Sequence, residues 1–145
     1  MLRIAALLAV PLLLTACQSP ANNLAGSWSL DSFVDAPTAP PVPPPGQTRP
    51  TVTFEPGDAT ATGKVFGSGG VNRFNGTYNA NGGSIAISSL GVTRMAGPTV
   101  LMRLEQVYLG ALQTATTWHV AKDELLLSGA AGTVKFVRET MPAKE

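Results

Sequence analysis

TTWHVAKDELLLSGAAGTVKFVRE, residues 116–139, places apolar side chains at every second position three times in succession. Trp118 and Val120 alternate with polar neighbours, then Leu125 and Leu127, then Val134 and Phe136. A period of two sends successive side chains to opposite faces of an extended chain, so each run predicts a half-buried strand. Lys122-Asp123 and the glycines at 129 and 132 stand between the runs and supply the turns.

The same pattern extends back towards the N-terminus. Trp28 and Leu30 alternate in AGSWSLDSF, Val52 and Phe54 in TVTFE, and Ile85 and Ile87 in SIAISSL. TGKVFGS and RFNGTY add two more runs, and Asn79-Ala80-Asn81-Gly82-Gly83 is a hairpin signal. Strands at intervals of roughly 8–12 residues predict an antiparallel sandwich or barrel. One segment breaks the rhythm: Leu101, Leu104, Tyr108, Ala111 and Leu112 recur at helical spacing behind Pro98. The fold class is therefore mainly β, a compact antiparallel, barrel-like sheet of about eight strands with one amphipathic helix over residues 99–115. The helical stripe is read as core, lying on the sheet or plugging one end of a barrel. Residues 36–50, APTAPPVPPPGQTRP, favour polyproline II and cannot enter a ladder, so they are placed as a loop inside the domain.

The chain of 145 residues allows one domain. A formal net charge of +1 gives no electrostatic footprint for nucleic acid. Residues 1–16 combine Arg3 with an apolar run too short for a bilayer, which needs roughly 20 residues, and suit an export signal. The ending Leu14-Thr15-Ala16-Cys17 resembles a bacterial lipoprotein signal, in which the Cys is acylated and becomes the first residue. On that reading Cys17, the only cysteine, carries the lipid, and the membrane is a partner through it. Residues 17–24 are then the lipidated Cys and a polar tether, residues 25–139 the domain and residues 140–145 a polar tail. Loss of Arg3 leaves basic and acidic side chains equal in number. Gln18 in place of Asp favours the outer membrane, facing the periplasm, if the source is Gram-negative.

The catalytic inventory is thin. Beyond Cys17 there is no thiol, and His119 is the single histidine, so thiol and multi-histidine metal chemistry are not expected. His119 is read as pointing to solvent. Glycines at 67, 69 and 70 precede a strand and no Lys-Ser/Thr follows, so they form no phosphate loop. Arg73 and Arg94 would make a small anion site if side by side; the competing reading has them bonding loop carbonyls or pairing with Glu105.

VNRFNGTY, then VTRMAGP, then LEQVYLGAL together resemble the META domain family, which includes the HslJ-like bacterial lipoproteins. The matching positions are Asn72, Arg73, Phe74 and Gly76, then Thr93, Arg94 and Met95, then Glu105, Tyr108, Leu109 and Leu112. The resemblance covers about residues 24–139 and implies a barrel-like fold, no catalytic activity, no cofactor and a link to heat shock and envelope stress. Asn72, Arg73, Arg94 and Glu105 become its binding or fold-defining residues. The family commonly has a Cys before the Asn and another after the Met, where this chain has Val71 and Gly97. Their joint absence is what a disulfide between those positions implies. The expected function is a non-enzymatic, monomeric, lipid-anchored binding or stress-protection domain with an unidentified envelope partner. The alternative is a small-ligand or lipid carrier with a cavity lined by Trp28, Phe54, Tyr78, Trp118 and Phe136.

Overall fold

A computed structural model describes residues 21–58 and 61–140. Eight strands, β1 (Gly26–Phe33), β2 (Thr51–Pro56), β3 (Thr62–Ser68), β4 (Arg73–Asn81), β5 (Ser84–Val92), β6 (Ala115–Ala121), β7 (Glu124–Gly129) and β8 (Gly132–Arg138), close into a barrel in sequence order. Every neighbouring pair is antiparallel, and β1 closes the ring against β8. All eight coincide with the alternating runs of the sequence. Gly82 and Gly83 take φ of 59° and 99°, the two positive values that a tight primed turn between β4 and β5 requires. The seam between β5 and β6 is the thinnest, with Ser84 and Thr117 as its only paired residues.

The interior is filled. Trp28, Leu30, Val52, Phe54, Val65, Leu125, Leu127, Val134 and Phe136 are all essentially inaccessible, each stabilising the fold by roughly 1.5–3 kcal/mol through burial. Helix α2 (Thr99–Thr114) closes one end, burying Leu104, Glu105, Tyr108, Ala111 and Leu112. Four of the five residues of the expected stripe are thus buried, and Leu101 is half-buried. Tyr108 meets Phe74 and Phe136 edge-on at 6.1 Å and donates a hydrogen bond to Thr51 O at 2.9 Å. Burial raises its phenol pKa well above the ordinary value. A Cβ on Gly129 would lie 2.0 Å from Thr114 O, so only glycine admits the direct passage from α2 into β6.

The opposite end is closed by the chain's own start. A short helical turn, α1 (Ala21–Leu24), puts Leu24 into the core at 1 % exposure. Trp28 Nε1 donates to Leu24 O at 2.9 Å. Arg138 donates to Ala25 O at 3.0 Å and to Asn23 O at 2.9 Å, with its guanidinium 4.1 Å from the Trp28 ring centroid. The expectation of a tether running through Leu24 is corrected: an aliphatic side chain ending a polar stretch is drawn into the barrel mouth by burial.

The two ends differ in character. The β2–β3, β4–β5 and β6–β7 hairpins gather at the α1 end. The Pro-rich segment, the β3–β4 turn, the β5–α2 connection and α2 itself gather at the other. The Pro-rich segment is a loop between β1 and β2, as its composition predicts. It is fastened by Arg49, which donates to Pro43 O and to Leu30 O, and by buried Pro40.

Candidate functional site: the Asn72–Glu105 junction

The β3–β4 turn meets α2 and the β5–α2 connection at a buried polar cluster. Asn72 is 3 % and Glu105 5 % exposed, the two buried polar or charged residues of the described chain. Glu105 lies in the second turn of α2, on the same stripe as Leu104 and Tyr108, and its carboxylate reaches into the β3–β4 turn. Its Oε2 accepts from Val71 N at 3.0 Å and Asn72 N at 2.5 Å, and Oε1 accepts from Asn72 Nδ2 at 2.7 Å. The Asn72 amide is fully engaged. Nδ2 also donates to Met95 O at 3.2 Å, while Oδ1 accepts from Thr93 Oγ1 at 3.0 Å and Met95 N at 2.6 Å. Two side chains thereby lock three segments distant in sequence. A charge taken from water is tolerated only when donors replace its hydration, and here three N–H groups do so.

The glycines of the turn have separate duties. Gly70 takes φ of 114°, as a glycine-only turn demands, whereas Gly69 has no positive φ. Gly69 is needed for space: a Cβ there would lie 2.5 Å from Glu105 Cγ. A Cβ on Gly97 would lie 3.4 Å from Val71 Cβ, at the short edge of the separation a disulfide spans. Val71 and Gly97, the positions at which the resemblance implies a cysteine pair, are therefore side by side.

Arg73 and Arg94 do not join this cluster. Both are exposed, and Thr93, the residue before Arg94, donates from its N to Arg73 O at 3.0 Å. Neither guanidinium pairs with Glu105 or holds a loop carbonyl among the described residues, which corrects that reading. Alternation along β4 turns Arg73 outward where Phe74 turns in, and the donors facing Glu105 are two backbone amides and the Asn72 side-chain amide. Cys17 lies outside the described residues. His119 is exposed, as expected. Sequence reasoning passed over Arg138, whose isolated position on the last strand carried no motif; its only signal was a cation at the end of a strand beside the start of the chain.

Chemically the junction is a closed structural polar core, with Glu105 already bonded to its neighbours. Among the described residues no group of three or more His, Cys, Asp or Glu could hold a metal ion. No helix there is long and apolar enough to cross a membrane. The grooves found are open and lie on the surface, one along α2, one beside the Pro-rich loop and one on the outer face of β2–β4.

A closed eight-stranded antiparallel barrel, capped by one helix whose glutamate is buried on an Asn-bearing turn, defines a small β-barrel domain class. The META domain model matches residues 22–141, and the chain belongs to the META domain family. A protein from Burkholderia xenovorans, solved by NMR, is 30 % identical with a TM-score of 0.69, covering 84 % of this chain and 88 % of its own. A second NMR structure shares the fold at 19 % identity and a TM-score of 0.58, covering 81 % and 93 %. A DUF4847 family protein from Bacteroides vulgatus shares it at 17 % identity and 0.50, covering 82 % and 96 %. No curated protein matches the chain.

Proposed function

We propose that this is a lipid-anchored envelope protein whose META domain acts by binding, without catalysis, in protection of the envelope under stress. The observation that carries the reading is the position of the chain's start. α1 seals one mouth of the barrel, while the longer loops and α2 occupy the other. Ala21 lies four residue steps beyond Cys17, so an acylated Cys17 would hold the α1 end within about 14 Å of the lipid. The loop-bearing end would then face away from the membrane, where a partner has access. Loops displayed on a rigid scaffold are the usual carriers of recognition.

The carrier alternative has less support. Trp28, Phe54, Tyr78, Trp118 and Phe136, which would have lined a cavity, are 0–7 % exposed and packed into one cluster. Phe54 and Tyr78 stand edge-to-face at 5.1 Å inside it. The anchor is tested by Cys17→Ser followed by membrane fractionation. Release of the variant into the soluble fraction is expected, and retention on the membrane contradicts the anchor.

A further inference from the structure

The outer face of β3 and β4 carries a patch that the closed interior and the buried junction leave without a role. Phe66 is 38 % exposed, an aromatic ring on a surface whose other outward residues are polar. Asn75 is its direct cross-strand partner, Ser68 is paired with Arg73, and Thr53 of β2 is paired with Phe66 from the other side. Phe66 and Arg73 are thus diagonal neighbours on one face, a separation within reach of long side chains. These residues line an open groove of about 510 Å³. The Arg73 guanidinium has no carboxylate partner among the described residues, whose ion pairs involve Lys135 and Arg138 instead.

We propose that this groove binds a saccharide bearing carboxylates. A shallow site with one exposed aromatic ring suits a pyranose, whose axial C–H groups pack on aromatic carbon while its hydroxyls remain partly hydrated. Asn75 supplies an amide donor and acceptor, and the Ser68 and Thr53 hydroxyls, already bonded to Gly70 N and to Ser27 Oγ, each keep hydrogen-bonding capacity for hydroxyl and N-acyl groups. An unpaired guanidinium supplies the planar fork that fits a carboxylate. An apolar peptide would leave the surrounding amide and hydroxyls unmatched, and a neutral sugar would leave Arg73 unused. The groove lies in the half of the barrel nearer α2, away from α1, where an extended polymer beyond the membrane surface would pass.

Two polymers share this chemistry: amino-sugar strands carrying acidic peptides, as in bacterial wall sacculi, and uronic acid chains. This inference rests on the envelope-binding reading for the ligand's location. Its test uses purified mature protein in detergent, so it fails independently of the Cys17 anchor. Retention would be measured on insoluble sacculi, on immobilised polygalacturonate and on chitin, a neutral amino-sugar polymer. Retention on sacculi or on polygalacturonate, with chitin at least about tenfold weaker, supports the proposal and identifies the source. Phe66→Ala and Arg73→Gln are each expected to weaken retention at least about tenfold. Phe66→Trp should retain binding, and Arg103→Gln, which removes an exposed guanidinium from α2, should leave it unchanged. Equal retention on chitin, no retention on either acidic polymer, or equal losses for Arg103→Gln and Arg73→Gln would overturn the proposal.

Discussion

Asn72 and Glu105 show what the polar residues of the β3–β4 turn are for. A crowd of glycines, an Asn-Arg pair and two aromatics looks like a place for chemistry. Its arginine points out, its aromatics point in, and its asparagine is spent on four hydrogen bonds. Replacing Asn72 by Ala strips a donor from Glu105 and leaves Met95 N without its side-chain acceptor. The expected cost is about 2–4 kcal/mol in chemical denaturation, with secondary structure retained below the transition. Gly69→Ala should cost a comparable amount for a steric reason, because the new methyl falls on the Glu105 side chain. A denaturation midpoint unmoved in either variant would mean that the junction contributes little. The motif residues were legible in the sequence; the partner of Glu105 was not. Expecting Arg94 or Arg73 there followed charge pairing, whereas the fold satisfies the carboxylate with the Asn72 side chain and with two backbone N–H groups that no residue pattern displays.

At the scale of elements, alternation with a period of two located every strand, because each has one face in the barrel and one in solvent. The α2 stripe was equally plain. The role of residues 21–24 was not, since a four-residue turn has no periodicity and Leu24 alone signalled burial. Arg138, which holds that turn, was silent for the same reason. Two elements meet at Val71 and Gly97, and their proximity yields a direct prediction. In a Cys17→Ser background, Val71→Cys with Gly97→Cys should oxidise spontaneously. The bridge closes a loop of about 27 residues and should add roughly 3–4 kcal/mol that a reductant removes. A thiol titration finding two free cysteines after oxidation would show that the segments are not adjacent. Tyr108 ties α2 to β2, and its buried phenol fixes the sign of an alkaline effect. Its folded pKa is raised above the ordinary 10.0, so the folded state keeps the proton after the unfolded chain has lost it. Stability from this group is fully present below pH 10 and falls as pH rises beyond it, by up to about 1.4 kcal/mol per pH unit. Tyr108→Phe should flatten that alkaline decline in denaturation midpoints measured across pH 9–12. An unchanged slope would place the loss elsewhere.

For the whole molecule, the account depends on polarity along the barrel axis. One end is sealed by the start of the chain and carries tight hairpins; the other carries α2, the Pro-rich loop and the Asn72–Glu105 junction. The interior packs into one cluster of buried side chains, so on the proposed binding role a partner would be met at the outer surface. An anchor at Cys17 would decide which part of that surface is presented. The direct measurement is fluorescence quenching in the membrane-bound, acylated protein, with a probe on a single introduced cysteine and a quencher on the lipid headgroups. A probe at Lys122→Cys, in the β6–β7 hairpin of the α1 end, should be strongly quenched, and a probe at Ala96→Cys, beside α2, should not. Equal quenching at the two positions, or stronger quenching at Ala96→Cys, would contradict a barrel that stands on its α1 end and presents its loops away from the membrane.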